Sequence, residues 1–511
     1  MAIAAATFGL CLYHLGARSI WLDEGATYAI ATQHGLHLLW AVGHDGGNLA
    51  LYYLLLHGWT SLFGSGEVVL RLPSALAAVA TVLLTFLLGR ELAGRRAGLY
   101  AALLIGLSLP LVYWGQMARG YTLGSALAAL TGLCFVVARR SGRRRDCLLW
   151  ALAALALCWT LLLGALVVVA GLATLCLPGA APAARRRLAA AAVLVAAGGF
   201  PLVLIAAHRG DGQLFWLPRP TANTVRSVLD YLAGARYGAR WGDLSLALVF
   251  CAAALMALGL LLALRTPRRH PEALFAAVFA VLGTALLPLV SYVVSRLGQP
   301  VFTDRYLSPC LPAAAVALAL PLARLRPAAL GLLAVVALAA LRVGQLTPTY
   351  GVDIDDEQAT VVGVVSLAAP GDCIAFYAND GFVDFNYYLS HPPPGMGEAP
   401  RFVSLLPARP MGSDPVIVER YVTLDRAARA ALPERCGRLF LIEQHDGNPH
   451  GTPAARVLRS TFGKLQHEVA REYAAHIVRR YQGVTFFLYS SPHHPAPHHR
   501  VAAAPSAAPT P

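Results

Sequence analysis

Two carboxylates stand side by side at Asp23 and Glu24 in the stretch SIWLDEGATY (residues 19–28), directly after an apolar run that starts at residue 2. A second polar group, Asp45 with Asn48, follows in GHDGGNLALYYLLLHGW (43–59). Three arginines border later apolar runs: Arg71 in EVVLRLPSAL, Arg119 in YWGQMARGYTLG and Arg305 in FTDRYLSP. A carboxylate within hydrogen-bond reach of an acceptor hydroxyl takes its proton as the oxygen attacks. Guanidinium groups bind phosphate through paired hydrogen bonds and stabilise the charge that grows on a leaving group. The set therefore suits group transfer from a phosphate-linked donor, with a general base supplied by the Asp-Glu loop. One base opposite a phosphate leaving group implies direct displacement with inversion. A divalent cation, magnesium or manganese, is an alternative counter-charge, with Asp23, Glu24 and Asp45 as candidate ligands. Plainer readings stand beside this one. Asp23 can N-cap a helix that starts at Gly25 or Ala26, Arg71 can pair with Glu67, and Arg305 can pair with Asp304.

The elements that must position these residues are membrane spans. Of 511 residues, 57% are hydrophobic and 13% charged, and the mean hydropathy is +0.57, which is too apolar for one soluble domain. Runs able to cross a hydrocarbon core lie at 2–17, 67–88, 97–113, 120–138, 147–160, 161–177, 188–207, 243–264, 273–294, 306–323 and 328–343. These are eleven expected transmembrane helices of an α-helical polytopic protein. Arginines cluster at 90–96, 139–145, 185–187, 265–269 and 324–326, and basic residues near span ends favour the cytoplasm. If all five clusters are cytoplasmic, the continuous apolar run 147–177 must cross twice, the amino terminus starts inside, and everything beyond about 345 lies outside. The net charge of +14 is then a matter of topology and calls for no nucleic-acid partner. The run 2–17 has no basic segment before it, as a signal peptide would.

The first loop, 18–66, carries both carboxylate groups, and its apolar stretch 49–63 is too short to span and suits a helix in the interface plane. The cytoplasmic turns hold no Gly-rich phosphate loop, so nucleotide chemistry is not expected. Internal repeats are not evident and charges inside the spans are scarce, which disfavours a transporter; a lipid-linked sugar flippase is the rival class. The expected domains are 1–344 for the membrane part, 345–491 for a small extracytoplasmic α/β domain, and 492–511 for a disordered Pro-, His- and Ala-rich tail. Strands are expected at 370–380, 436–444 and 483–491, and a helix at 460–473. His445 and Asp446 follow a strand end and read as a solvated loop. Seven of nine cysteines fall in or beside spans; Cys373 and Cys436 alone lie in the α/β domain and are expected to form a disulfide.

The ordered series WLDE, D-G-G-N-x-x-L-Y-Y-L-L-L-H-x-W, LFG-x-x-E-x-x-x-R-L-P-S-A-L, G-R-E-L-A-G-R-R-A-G and Q-M-A-R-G-Y-x-L, densest over 18–130, resembles the bacterial family 39-like membrane glycosyltransferases. These belong to the C-type superfamily with protein O-mannosyltransferases and lipid A aminoarabinose transferases. The resemblance implies a multi-pass transferase of the bacterial plasma membrane. It would take a sugar from a polyprenyl-phosphate donor and pass it to a glycan, glycolipid or protein on the outer side. It also implies Asp23 as the catalytic base, with Glu24 positioning substrate or metal. Arg119 and Tyr121 of the Q-x-x-R-x-Y turn and Arg305 with Tyr306 would approach the donor phosphate, and Asp45, Asn48 and Arg71 would complete the substrate site. Many relatives carry His-Pro-Pro after the second aspartate; this chain has Gly46-Gly47-Asn48.

Overall fold

Apolar runs punctuated by glycine and arginine form helices because a helix satisfies its own backbone polar groups, which hydrocarbon cannot do. The computed structural model describes residues 1–214, 217–235, 242–265, 271–350, 354–408, 410–411, 432–444, 453–473 and 475–491. Residues 1–354 form one compact unit, and residues from 355 onward, apart from 452–454, form a second.

The first unit is helical. Its elements are α1 (Ala2–Leu12), α2 (Leu22–Ala31), α3 (Leu36–His44), α4 (Ala50–Phe63), α5 (Glu67–Ala93), α6 (Arg95–Gly106), α7 (Leu109–Gly115) and α8 (Tyr121–Ser141). There follow α9 (Arg144–Thr160), α10 (Ala165–Ala173), α11 (Pro182–Gln213), α12 (Ala222–Leu232), α13 (Gly242–Leu264), α14 (Pro271–Leu297), α15 (Leu311–Arg324) and α16 (Ala328–Leu346). A short 3-10 helix, Asp304–Cys310, leads into α15.

All eleven expected spans are helical, but length sorts them. Among the described residues seven helices are long and apolar enough to cross a membrane, and α6 with α7, bent by 58°, makes an eighth. The segments 2–12, 144–160 and 162–176 are shorter. The run 147–177 breaks where charge parity requires it. Helix α9 stops at Thr160, Leu161 is extended, and the chain re-enters helix through a 3-10 turn at Leu162–Gly164. The carbonyl of Thr160, left open by the break, accepts the backbone N–H of Leu49 at 3.1 Å. The interfacial helix expected at 49–63 is α4, which leaves Leu55, Leu62 and Phe63 exposed.

The second unit has a five-stranded mixed sheet of order β2-β1-β3-β5-β4. Its strands are β1 (Cys373–Tyr377), β2 (Val403–Leu406), β3 (Arg438–Gln444), β4 (Ala475–Tyr481) and β5 (Val484–Ser490). Strand β1 runs parallel to β2 and β3, and β5 lies antiparallel between β3 and β4. The strands expected at 370–380, 436–444 and 483–491 are β1, β3 and β5. The two not foreseen, β2 and β4, are the edge strands, short in one case and carrying Arg479 and Arg480 in the other, as edges exposed to solvent tend to be. The expected helix at 460–473 starts earlier, at Pro453, and runs to Glu472. Cys373 pairs across the sheet with Leu439, next to the loop that holds Cys436, and the two cysteines are joined with their Cα atoms 5.6 Å apart. His445, Asp446 and the tail 492–511 lie outside the described residues.

Candidate active site

Helix α2 begins at Leu22 with Trp21 at its N-cap, so Asp23 and Glu24 both fall in the first turn and point to different neighbours. Glu24 turns inward. Its carboxylate accepts Arg71 Nε at 2.8 Å and Nη2 at 2.7 Å, and also the backbone N–H of Ala118 at 2.7 Å. Both side chains are fully buried. The remaining Arg71 donors go to the carbonyls of Leu15, Arg18 and Ser19. The salt-bridge partner of Arg71 here is Glu24, 47 residues away, and this buried ion pair ties together the loop before α2, the start of α5 and the turn 116–120.

Asp23 turns the other way. Arg305 Nη1 donates to its Oδ2 at 2.7 Å, and Arg119 Nη2 lies 3.7 Å from the same atom. The N-cap reading of Asp23 is therefore overturned. Arg119 is oriented further by bonds from Nη1 to the Asp23 carbonyl at 2.9 Å and to Thr27 Oγ1 at 3.0 Å. Its own carbonyl accepts Ser74 Oγ at 3.0 Å, and that hydroxyl lies 2.9 Å from the Tyr52 phenol of α4. Glycine is required at 120, where a Cβ would sit 2.9 Å from Tyr52 Cβ. Asp304 accepts the Arg305 backbone N–H at 2.7 Å, while the Arg305 guanidinium reaches Asp23.

Asp45 closes α3 at a turn in which Gly46 and Gly47 have φ of +74° and +72°. The left-handed backbone explains why glycines follow this aspartate. Tyr53 of α4 donates to Asp45 Oδ2 at 2.9 Å. Burial pushes the Asp45 carboxyl up to about 7, against the pull of Arg119 and Tyr53 and with the help of Asp23. Asn48 lies in the same turn, half-buried. Tyr121 is buried, its ring 4.4 Å from Trp114 and beneath the Arg119 guanidinium; Tyr306 is half-buried under Arg305.

The structure thus gathers Asp23, Asp45, Arg119, Tyr121, Arg305 and Tyr306, sets Glu24 and Arg71 behind them, and keeps Cys373 and Cys436 in the other unit. Asp23, Glu24 and Asp45 do not converge as a metal set: arginines already face two of the three, and among the described residues no other trio of His, Cys, Asp or Glu could hold a cation. Thr27, Tyr53 and helix α12 were not foreseen. The signal for α12 was its amphipathic spacing in RSVLDYL; for Thr27 and Tyr53 there was none.

Comparison with known proteins bears on both the sequence and the fold. Residues 50–208 match the family of dolichyl-phosphate-mannose-protein mannosyltransferases. In fold the chain is similar to ArnT from Cupriavidus metallidurans in the apo state, at 14% identity and a TM-score of 0.57 over 95% of this chain and 97% of that one. Part of the chain thus matches a mannosyltransferase family, and the chain as a whole shares the fold of ArnT. The chain matches ArnT bound to undecaprenyl phosphate equally well, with a TM-score of 0.57. The apo form of the Archaeoglobus fulgidus oligosaccharyltransferase is similar over 96% of this chain and 74% of that one, at 12% identity and a TM-score of 0.51. No curated protein matches the chain in sequence.

Two outcomes follow for the protein. Glu24→Gln leaves Arg71 buried beside a neutral amide, and breaking such a pair costs about 3–5 kcal/mol, so its melting temperature in detergent is expected to fall well below that of Asp23→Asn. Equal melting of the two variants would remove the pair from its structural role. The second concerns pH. Below the unfolded pKa of about 4 Asp45 is neutral in both states. Between about 4 and the folded value of about 7 the unfolded chain ionises while the fold keeps the proton, so this contribution to stability declines with rising pH and is lost above about 7. Asp45→Asn keeps an oxygen for Tyr53, and its melting advantage over the native chain is expected to grow between pH 5 and pH 8. A constant difference across that range would contradict the shift.

Proposed function

We propose that the transferase moves a sugar from a polyprenyl-phosphate donor to an acceptor hydroxyl on the outer side of the bacterial plasma membrane, with inversion at the anomeric carbon. The observation that carries this reading is one carboxylate, Asp23, held by two arginines, Arg119 and Arg305. The Glu24–Arg71 pair sums to zero, and Asp45, pushed up to about 7, carries only part of a charge at neutral pH. Two guanidinium groups converge on the single Asp23 carboxylate, an arrangement that suits exchange of that carboxylate for the anionic oxygen of a sugar phosphodiester.

The same contact orders the steps. A donor phosphate competes with Asp23 for the arginines, and its binding turns the Asp23 oxygen toward the acceptor. The acceptor oxygen then attacks the anomeric carbon while its proton passes to Asp23. The bond from that carbon to the phosphate oxygen breaks, its electron pair stays on the leaving lipid phosphate, and the second negative charge that develops there is met by Arg119 and Arg305. A small apolar recess bordered by Leu88, Gly132, Phe279 and Pro309 adjoins the Asp304–Cys310 turn, to which Pro309 belongs. ArnT bound to undecaprenyl phosphate, a relative in fold, supports a lipid phosphate as the donor's carrier. The basic clusters between spans support an outer site and an extracytoplasmic second unit.

Transfer from a polyprenyl-phosphate sugar to a matched acceptor, measured with purified protein, tests the assignment. Asp23→Asn is expected to lower turnover by ~10²–10⁴ with donor binding largely kept. Arg305→Lys keeps the charge but loses the planar fork, and is expected to weaken donor use by ~1.5–3 kcal/mol. Near-native turnover in Asp23→Asn would move the base to Asp45. Sugar flux into empty vesicles without transfer would favour the flippase.

A further inference from the structure

Two buried hydroxyls, one beneath Arg119 and one on the helix that packs against the Asp304–Cys310 turn, have no part in the proton transfer at Asp23. Tyr121 is fully buried and Tyr231, on α12, is 4% exposed. Neither phenol oxygen has a hydrogen-bond partner within bonding geometry among the described residues. Buried polar groups in native interiors are rarely left so.

The placement of α12 explains where these hydroxyls point. Its N-terminus is capped by Thr221, and Ser227 Oγ on its inner face donates to Asp304 Oδ2 at 3.2 Å, the carboxylate whose other oxygen caps Arg305. Tyr231 follows Ser227 by four residues, so it shares that face one turn further on. Helix α12 packs against the Asp304–Cys310 turn, which carries Arg305. Tyr121 in turn neighbours Arg305 and has Arg119 5.7 Å above its ring. The end of α12 is fixed: Leu109 N–H bonds the Gly234 carbonyl at 3.0 Å, Arg342 bonds the Ala233 carbonyl at 2.6 Å, and a Cβ at Gly234 would come 2.6 Å from Arg342 Cζ. The Trp114 indole is the donor next to Tyr231. An indole N–H only donates, so it can face a lone pair of the phenol and never accept from it. The Tyr231 proton must point elsewhere, and burial keeps that proton on by raising the phenol well above its usual range.

We propose that Tyr231, together with Tyr121, donates a hydrogen bond to the same phosphate that Arg119 and Arg305 bind, which makes α12 a wall of the donor site. The inference rests on the donor reading given above. Arginines match the charge of a phosphate, and neutral hydroxyls occupy its remaining lone pairs without adding to the local positive charge. The ligand chemistry is a phosphate oxygen, whether on a lipid or free.

The test uses full-length protein in detergent, with melting followed as undecaprenyl phosphate or inorganic phosphate is titrated into the native chain, Tyr231→Phe and Arg305→Ala. The native chain is expected to be stabilised. Protection by inorganic phosphate assigns the site to the headgroup alone, and protection by the lipid only assigns it to the lipid-borne phosphate. In whichever arm protects, Tyr231→Phe is expected to need about tenfold more ligand or above, the factor for one hydrogen bond to a charged oxygen. Its ligand-free melting should change little, since the deleted hydroxyl donates its proton to nothing among the described residues. A lower ligand-free melting temperature with unchanged ligand response makes Tyr231 a structural neighbour of Trp114 and overturns the proposal. If the native chain responds, Arg305→Ala does not, and Tyr231→Phe behaves as native, the donor reading stands and only this inference fails. If the native chain responds to neither ligand, the donor reading fails and takes the inference with it.

Discussion

The bidentate bond between Arg71 and Glu24 is the constraint on which the rest of the site depends. A buried ion pair seldom adds much net stability, because desolvation of both charges offsets their attraction. What it does here is fix geometry. One guanidinium reaches three carbonyls before α2 and a carboxylate inside it, and that carboxylate reaches the backbone of Ala118. Segments separated by about a hundred residues are locked in one register. Asp23 and Arg119 each sit one residue from a member of this lock, so their positions follow from it.

Around that lock the electrostatics divide into two layers. The inner pair is closed and neutral. The outer group, Asp23 with Arg119 and Arg305, is half-open and has neutral phenols on its border. Such an arrangement keeps the fold indifferent to what the outer group binds, since exchange of partners there leaves the inner pair untouched.

Much of this was legible in the sequence, and the reasons differ by residue. Asp23, Arg119 and Arg305 stand out because charge beside an apolar run needs a counter-charge. The identity of the counter-charge did not. Arg71 has Glu67 four positions away on its own helix, the natural guess by helical geometry, yet its partner lies 47 residues back on another helix. Local spacing carries no information about contacts closed by tertiary packing. Tyr53 and Tyr231 were hidden because an aromatic within an apolar stretch reads as core until its hydroxyl is located. The split of 147–177 was recoverable from arginine parity alone, whereas the eleven-span count rested on runs whose helices, in three cases, are shorter than a bilayer. In the second unit the central strands were readable as hydrophobic runs, and the edges were not, since edge strands carry charges that disguise them.

The hydrogen bond from Leu49 to Thr160 gives that split a further meaning. In an unbroken helix from 144 to 176 the i to i+4 ladder would consume the Thr160 carbonyl within the helix. The N–H of Leu49, a residue at left-handed φ of +59° and wholly buried, would then have no acceptor, and the turn that presents Asp45 would lose its anchor. Seen this way the discontinuity is a socket: the membrane part surrenders one rung of its own ladder so that a loop can plug into it. Spans of the same composition with the break shifted by a single residue would cross the bilayer equally well and hold the loop in the wrong place.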